Sequence, residues 1–334
     1  LLVGLCLIPG IGGVTLRNLL DRFGDIEAIY ATSPAALQTV PGVGPRLAAA
    51  VKAIDVPLTA AAIAAWEAAG VTLLTHSDLR YPALLHGLRD APPLLFCRGA
   101  LLPADDLAVS IVGTRQPSPP ARAYAAALAG GLAARGWTIV SGLAWGIDLA
   151  AHSGALQGGG RTVAILGSGL EQIPPRKRAL AARIAANGAL LSEVQPDAPP
   201  SPPALVARNR LISGMSRAVI VVEAGTESGS LYTARFAYKQ ERPILAVDNG
   251  SEGNTQLLAH GAGRLAAGEK ARPIAAESPL TVAKTPEGSI VARRPFDFAQ
   301  RTVDARARFE GPNLETMRRT EMNCLYRFEA GFET

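Results

Sequence analysis

Val109-Ser110-Ile111-Val112-Gly113-Thr114-Arg115 reads as a short aliphatic strand that runs directly into a glycine turn. The pattern recurs down the chain. Thr138 to Val140 precedes Ser141-Gly142, and Val163 to Leu166 precedes Gly167-Ser168-Gly169; Val219 to Val222 leads to Glu223-Ala224-Gly225, and Ile244 to Val247 to Asp248-Asn249-Gly250. Helical stretches lie between, such as Ala121 to Ala134 with Leu128 and Leu132 on one face, and Leu231 to Tyr238. Strands written as continuous aliphatic runs are buried on both faces, so the sheet is mainly parallel and covered by helices. The expectation is a doubly wound α/β core over residues 105–268. Ligands of such sheets collect beyond the carboxyl ends of the strands, where these turns come together.

Upstream, residues 1–70 read as a small helical domain. Ile8-Pro9-Gly10-Ile11-Gly12 and Val40-Pro41-Gly42-Val43-Gly44 repeat one motif, each feeding a helix, which is the pattern of a SAM-like helix-hairpin-helix. Its glycines either present amides to a phosphate or simply turn the chain so that two helices pack. Residues 71–104, with Tyr81-Pro82 and Ala91-Pro92-Pro93 between short apolar runs, read as strands and turns connecting the two domains. Residues 269–334 show neither helical nor strand periodicity and stay unassigned.

Composition bounds the function. Of 334 residues, 48% are apolar and 18% charged, which supports a sizeable core and excludes a wholly disordered chain. No apolar run approaches the roughly 20 residues a membrane span requires. The opening run Leu1 to Ile8 lacks a basic start and a small-residue cleavage site, so no export signal is expected and the chain is placed in the cytoplasm. Cys6, Cys97 and Cys324 are too scattered for a disulfide framework or a metal site and read as reduced thiols. The net charge of +5 permits a polyanionic partner without identifying one.

The candidate site is the set of loops at the strand ends. Gly113, Gly142, Gly167, Gly169, Gly225 and Gly229 allow close backbone approach, and Ser141, Ser168, Thr226, Ser228 and Ser230 add hydroxyls suited to phosphate oxygens. Arg115 directly follows the first strand, where a guanidinium can fork onto a phosphate and is less easily explained as a solvated surface charge; a salt bridge is the alternative. The absence of a Gly-Lys-Ser or Gly-Lys-Thr loop and of a three-glycine fingerprint removes support for ATP hydrolysis and nicotinamide chemistry, and no cofactor is expected. Asp148 and His152 share one helix face; they form either a catalytic dyad or, as the more ordinary alternative, a buried hydrogen-bonded or capping pair.

Taken in order, Val109 to Arg115, Val140-Ser141-Gly142-Leu143-Ala144 with Gly146-Ile147-Asp148 and Ala151-His152, Leu166-Gly167-Ser168-Gly169-Leu170, Arg208-Asn209-Arg210-Leu211-Ile212-Ser213-Gly214, and Val221-Val222-Glu223-Ala224 with Ser228-Gly229-Ser230-Leu231 and Thr233-Ala234 resemble the successive motifs of the DprA/Smf family. The resemblance implies an extended Rossmann core behind the helical domain. It also implies a protein without enzymatic activity that binds single-stranded DNA entering the cell in natural transformation, protects it, and helps load the RecA recombinase, working as a homodimer. Carried over by position, Gly113, Arg115, Ser141, Gly142, Gly167, Ser168, Gly169, Asn209, Arg210, Ser228, Gly229 and Ser230 line the pocket, with Arg176 and Lys177 on its rim.

The chain departs from the family pattern in several places. Ile173-Pro174-Pro175 with Arg178 stands where the family has an aromatic followed by proline and asparagine, and Ala204-Leu205-Val206 replaces Asn-Phe-Pro ahead of Arg208. The turn near Asp248-Asn249-Gly250 is shortened, which bears on the dimer surface, and no winged helix is recognisable after Ala271. The rival reading is a LOG-like nucleotide phosphoribohydrolase, from Ala224-Gly225-Thr226-Glu227, although Ser228, Gly229 and Ser230 occupy the stretch where that enzyme class places its glutamate.

Overall fold

The computed structural model describes residues 1–267. The expectations for 269–334, including the winged helix and Cys324, lie outside the described residues.

The N-terminal helices are α1 (Leu2–Cys6), α2 (Gly13–Phe23), α3 (Ile26–Ala31), α4 (Pro34–Leu37), α5 (Pro45–Lys52) and α6 (Val56–Ala68). Both repeated motifs sit where the sequence puts them, ahead of α2 and α5, with Gly12 and Gly44 as extended N-cap residues. Their apolar residues Ile11, Val40 and Val43 are buried with Leu5, Leu16, Leu19, Ile29, Leu37 and Val51 in one small core. Asp25, Ser33 and Asp55 cap α3, α4 and α6 through side-chain oxygens, which stops each short helix from fraying.

The remainder builds one nine-stranded sheet. Its elements in chain order are β1 (Thr72–Thr75), α7 (Ala83–His86), β2 (Leu94–Gly99), a 3-10 turn at Pro103–Asp106, β3 (Ala108–Val112), α8 (Pro119–Ala133), β4 (Thr138–Ser141), α9 (Ile147–Gln157), β5 (Thr162–Leu166), α10 (Pro175–Ala186), β6 (Gly188–Ser192), α11 (Pro202–Gly214), β7 (Val219–Val221), α12 (Ser230–Lys239), β8 (Ile244–Asp248), α13 (Glu252–Ala259) and β9 (Gly263–Ala266). The strand order is β1-β2-β6-β5-β4-β3-β7-β8-β9. Strands β6 through β9 in that order run parallel, while β1 and β2 add an antiparallel edge. The segment expected to connect two domains is therefore sheet: Phe96 pairs Ser192 and Cys97 pairs Leu191. No described single helix is long and apolar enough to cross a membrane.

Alternation within each parallel strand assigns its two faces. Val109 and Ile111 of β3 pack with Ile139, Ile220 and the α8 and α9 residues Ala125, Leu128 and Ala151. Ala108 and Val112 face Val140, Ile165, Leu211 and Ile212 on the other side. Ser110 also points to that side, where its hydroxyl donates to the Ile212 carbonyl at 2.8 Å and meets Ser216 Oγ at 2.7 Å, which satisfies a polar group in the core. Helices α8 and α9 cross so closely that a Cβ at Gly154 would collide with the Ala126 carbonyl oxygen. Gly154→Val is expected to lower unfolding free energy by about 3 kcal/mol or more, read from urea denaturation, because backbone rather than a movable side chain opposes the added atoms. An unchanged midpoint would mean that this crossing is not tight.

Candidate nucleic-acid interface

Every βα turn of the parallel sheet opens on its C-terminal edge, so the N-termini of α8 to α13 gather there, with their partial positive charge. The strand order reverses between β3 and β7, which defines the crevice. That crevice already holds an anion of the protein's own. The Glu223 carboxylate accepts hydrogen bonds from the Ser118 amide at 3.0 Å and hydroxyl at 2.9 Å, at the head of α8.

The next loop is held by a second internal carboxylate. Asp148, 5% exposed, accepts from the amides of Gly142 at 3.1 Å and Ala144 at 3.2 Å. Burial raises its pKa, while the nearby Arg208 charge and the two amides oppose that rise. Arg208, buried in turn, donates from Nη1 to the Ile165 carbonyl at 2.5 Å, and burial lowers its pKa to about 10 against the pull of Asp148. A Cβ on Gly142 would run into the Arg208 guanidinium. Glycine is required here by a guanidinium passing over it, not by a ligand. Leu143 adopts φ 54 while buried, and Gly146, at φ +80, lies so near the Thr114 and Arg115 carbonyls that a Cβ would clash with both. The β4–α9 loop is thus pinned at both ends, with a left-handed non-glycine residue between, which is stored strain of the kind found at functional sites.

Many of the expected site residues turn inward. Ser141 is fully buried and donates to the Ile111 carbonyl at 2.7 Å. Added atoms at Gly113 would meet Ile147, at Gly167 Leu205, and at Gly169 the Pro196 and Gln195 carbonyls, so these glycines serve packing. Asn209 donates toward the Gly229 carbonyl at 3.4 Å. Arg210 is ion-paired with Glu193 at 2.5 Å and Asp90 at 3.4 Å. Ser230 is 7% exposed, with its hydroxyl 2.8 Å from that of Ser228.

Other expected residues reach the surface. Arg115 and Ser168 are half-buried, Arg176 and Gly229 are exposed, Ser228 and Lys177 are partly exposed. The Lys177 ammonium lies 4.8 Å above the ring of Trp145, a residue absent from the expected set although it stands between Ala144 and Gly146 in the pinned loop. A signal for it was present: a large aromatic in a glycine-flanked turn, in a chain with only 5% aromatics. Arg115 and Trp145, on two neighbouring loops, and Lys177, in the first turn of α10, therefore stand close together, joined by the Gly146–Arg115 backbone contact and the cation over the indole.

Asp148 and His152 are not a dyad. His152 Nδ1 lies 2.7 Å from Thr162 Oγ1, whose own proton goes to the Ile139 carbonyl, so the imidazole donates from Nδ1 and leaves Nε2 buried without a partner. Burial, with Arg208 adding repulsion, lowers its pKa to about 3. Among the described residues, no group of three His, Cys, Asp or Glu is placed to hold a metal. Cys6 and Cys97 are free thiols whose pKa burial raises to about 12.

Residues 72–275 match a family model described as DNA recombination-mediator protein A, and residues 4–53 one described as a SAM-like helix-hairpin-helix tandem. The chain is 37% identical over 248 residues to protein Smf of Synechocystis, covering 72% of this chain and 62% of that one. It is 42% identical over 189 residues to protein Smf of Escherichia coli, covering 54% and 50%. It thus spans between half and two thirds of these curated relatives. Among solved structures, DNA processing protein A of Streptococcus pneumoniae superposes with a TM-score of 0.66 at 31% identity, over 77% of this chain and 90% of that one. DNA processing protein A of Helicobacter pylori, a structure described for its single-stranded DNA binding mode, gives 0.53 at 34% identity, over 58% and 90%.

The buried groups set two expected outcomes. Asp148→Ala strands the Arg208 charge and two loop amides and is expected to cost about 3 kcal/mol or more in urea unfolding; a loss under about 1 kcal/mol would show that the carboxylate does not hold the loop. His152 stays neutral in the fold, while the unfolded chain takes up a proton below about 6.5, so the unfolded state binds more protons and stability falls as pH drops from 6.5 toward 3. Relative to His152→Gln, the wild type is expected to lose up to about 1.4 kcal/mol per pH unit in that window, and parallel pH profiles would refute the assignment.

Proposed function

This chain belongs to the DNA recombination-mediator protein A family, the DprA/Smf proteins, and we propose that it binds single-stranded DNA along the C-terminal edge of its parallel sheet. In this reading it has no enzymatic role. It protects the incoming strand and presents it to RecA during natural transformation and recombination, as a cytoplasmic homodimer. The observation that carries the proposal is the grouping of Arg115, Lys177 and an exposed indole on one lip formed by two adjacent loops and the first turn of α10. Cations that track a phosphate chain beside an aromatic surface suit a single strand, whose bases are free to stack. The single-stranded DNA binding of the Helicobacter pylori relative supports carrying that ligand class to this chain.

Phosphate contact falls mainly to side chains. Helices α8, α10 and α11 begin with Pro119-Pro120, Pro174-Pro175 and Pro202-Pro203, and proline brings no N–H to an anion. Arg115, Arg176 and Lys177 then carry the charge, and Ser168, Ser228 and the open turn at Gly229 supply the remaining contacts. The phosphoribohydrolase reading is not favoured: the matched family and relatives are DNA-processing proteins, and Glu223, the carboxylate at the crevice, is engaged by Ser118.

Labelled oligothymidylate titrated at several salt concentrations tests the proposal. Salt-sensitive binding is expected, with no base released from AMP. Arg115→Ala should weaken binding and reduce the log–log salt slope by about 0.7, the share of one neutralised phosphate on a single strand. Unchanged affinity and slope in a folded variant would remove Arg115 from the site, and turnover of AMP would favour the hydrolase.

A further inference from the structure

We propose that Trp145 is a base-stacking residue, a flat platform on which one nucleobase of the bound strand rests while Lys177 takes the adjoining phosphate. The inference rests on the single-stranded DNA reading above and names a contact that reading does not supply.

Three observations converge on this residue. Trp145 is 44% exposed, and among the described residues it is the one aromatic in the set of exposed large apolar side chains. The other two tryptophans are placed otherwise: Trp66 meets Phe96 edge-on at 5.2 Å, and Trp137 packs against the α8 side of the core. An indole left in water forgoes a large burial gain, so its position calls for an occupant.

The loop presenting it is rigid. Asp148 fixes the amides of Gly142 and Ala144 on one side, buried Leu143 is locked at φ 54, and Gly146 is wedged against the Thr114 and Arg115 carbonyls on the other. A ring held in place before binding loses little freedom on stacking. Finally, a cation lies over the ring. Lys177 stands 4.8 Å over its centroid, and the Arg115 segment abuts the neighbouring residue. A base stacked on this indole brings its backbone phosphate into the field of Lys177. Stacking tolerates any base, since each has a π-face, so the contact favours nucleotides over bare phosphate chain without reading sequence.

The test uses the full chain with oligothymidylate and a deoxyribose-phosphate chain of equal length lacking bases. In the wild type, oligothymidylate is expected to bind more tightly than the abasic chain and to quench indole emission. Trp145→Ala should weaken oligothymidylate binding by about tenfold, leave abasic-chain binding and the salt slope unchanged, and abolish that quench; Trp145→Phe should recover most of the affinity. Lys177→Ala should instead lower the slope. If the wild type binds oligothymidylate but Trp145→Ala binds it equally well, or loses affinity for both probes alike, base stacking at Trp145 is wrong while the DNA-binding reading stands. If the wild type binds neither probe, both fall. Because the side chain is exposed, an unchanged melting temperature is expected in both tryptophan variants, and any loss then belongs to binding.

Discussion

The arrangement of this edge depends on one buried carboxylate. Asp148 sits one residue into α9, where the helix's partial positive charge favours an anion, and takes the amides of Gly142 and Ala144 that the turn would otherwise leave unpaired. Arg208, reaching from α11 across Gly142 to the Ile165 carbonyl, supplies the countercharge. One interaction thus ties β4, β5, α9 and α11 together. Together with the Gly146 backbone wedged against the Thr114 and Arg115 carbonyls, it holds the segment in which Leu143 is left-handed and Trp145 is exposed.

The edge divides its labour in a way that the topology alone does not dictate. Backbone amides at the strand ends are mostly spent on the protein itself: Asp148 takes those of Gly142 and Ala144, Glu223 that of Ser118, and prolines at three helix starts donate none. An amide cradle for a compact phosphate, such as a nucleotide-binding loop provides, is therefore poorly furnished here. What remains is a lip of long, charged side chains and one indole, which fits an extended polyanion gripped at several points rather than a small ligand seated in one deep pocket.

Much of this was legible in the chain. The five aliphatic runs before glycine turns are the five strands β3, β4, β5, β7 and β8, since a strand buried on both faces is apolar at most positions. Two parallel strands escaped. Gly188–Ser192 carries only a short apolar run behind Asn187-Gly188, and Gly263–Ala266 is an edge strand with Arg264 in its middle. Residues 71–104 were legible as short strands but not as part of the main sheet, because antiparallel pairing of Phe96 with Ser192 joins residues nearly a hundred positions apart, which no local pattern encodes.

The site divides along the same line. Residue type by itself determined that the strand ends bear glycines, hydroxyls and arginines, because these follow each aliphatic run in the order of a recognisable family. Which of them are exposed was decided only by packing: Ser141 and Arg115 both stand at a strand end, yet Ser141 is fully buried with its hydroxyl on the Ile111 carbonyl, while Arg115 is half-buried with its backbone against Gly146. Likewise Arg208 and Arg210 are two residues apart on one helix, and the fold buries the first against Asp148 and pairs the second with Glu193 and Asp90. A buried polar group must find its partner among residues distant in sequence, and that choice exists only once the sheet has brought them together.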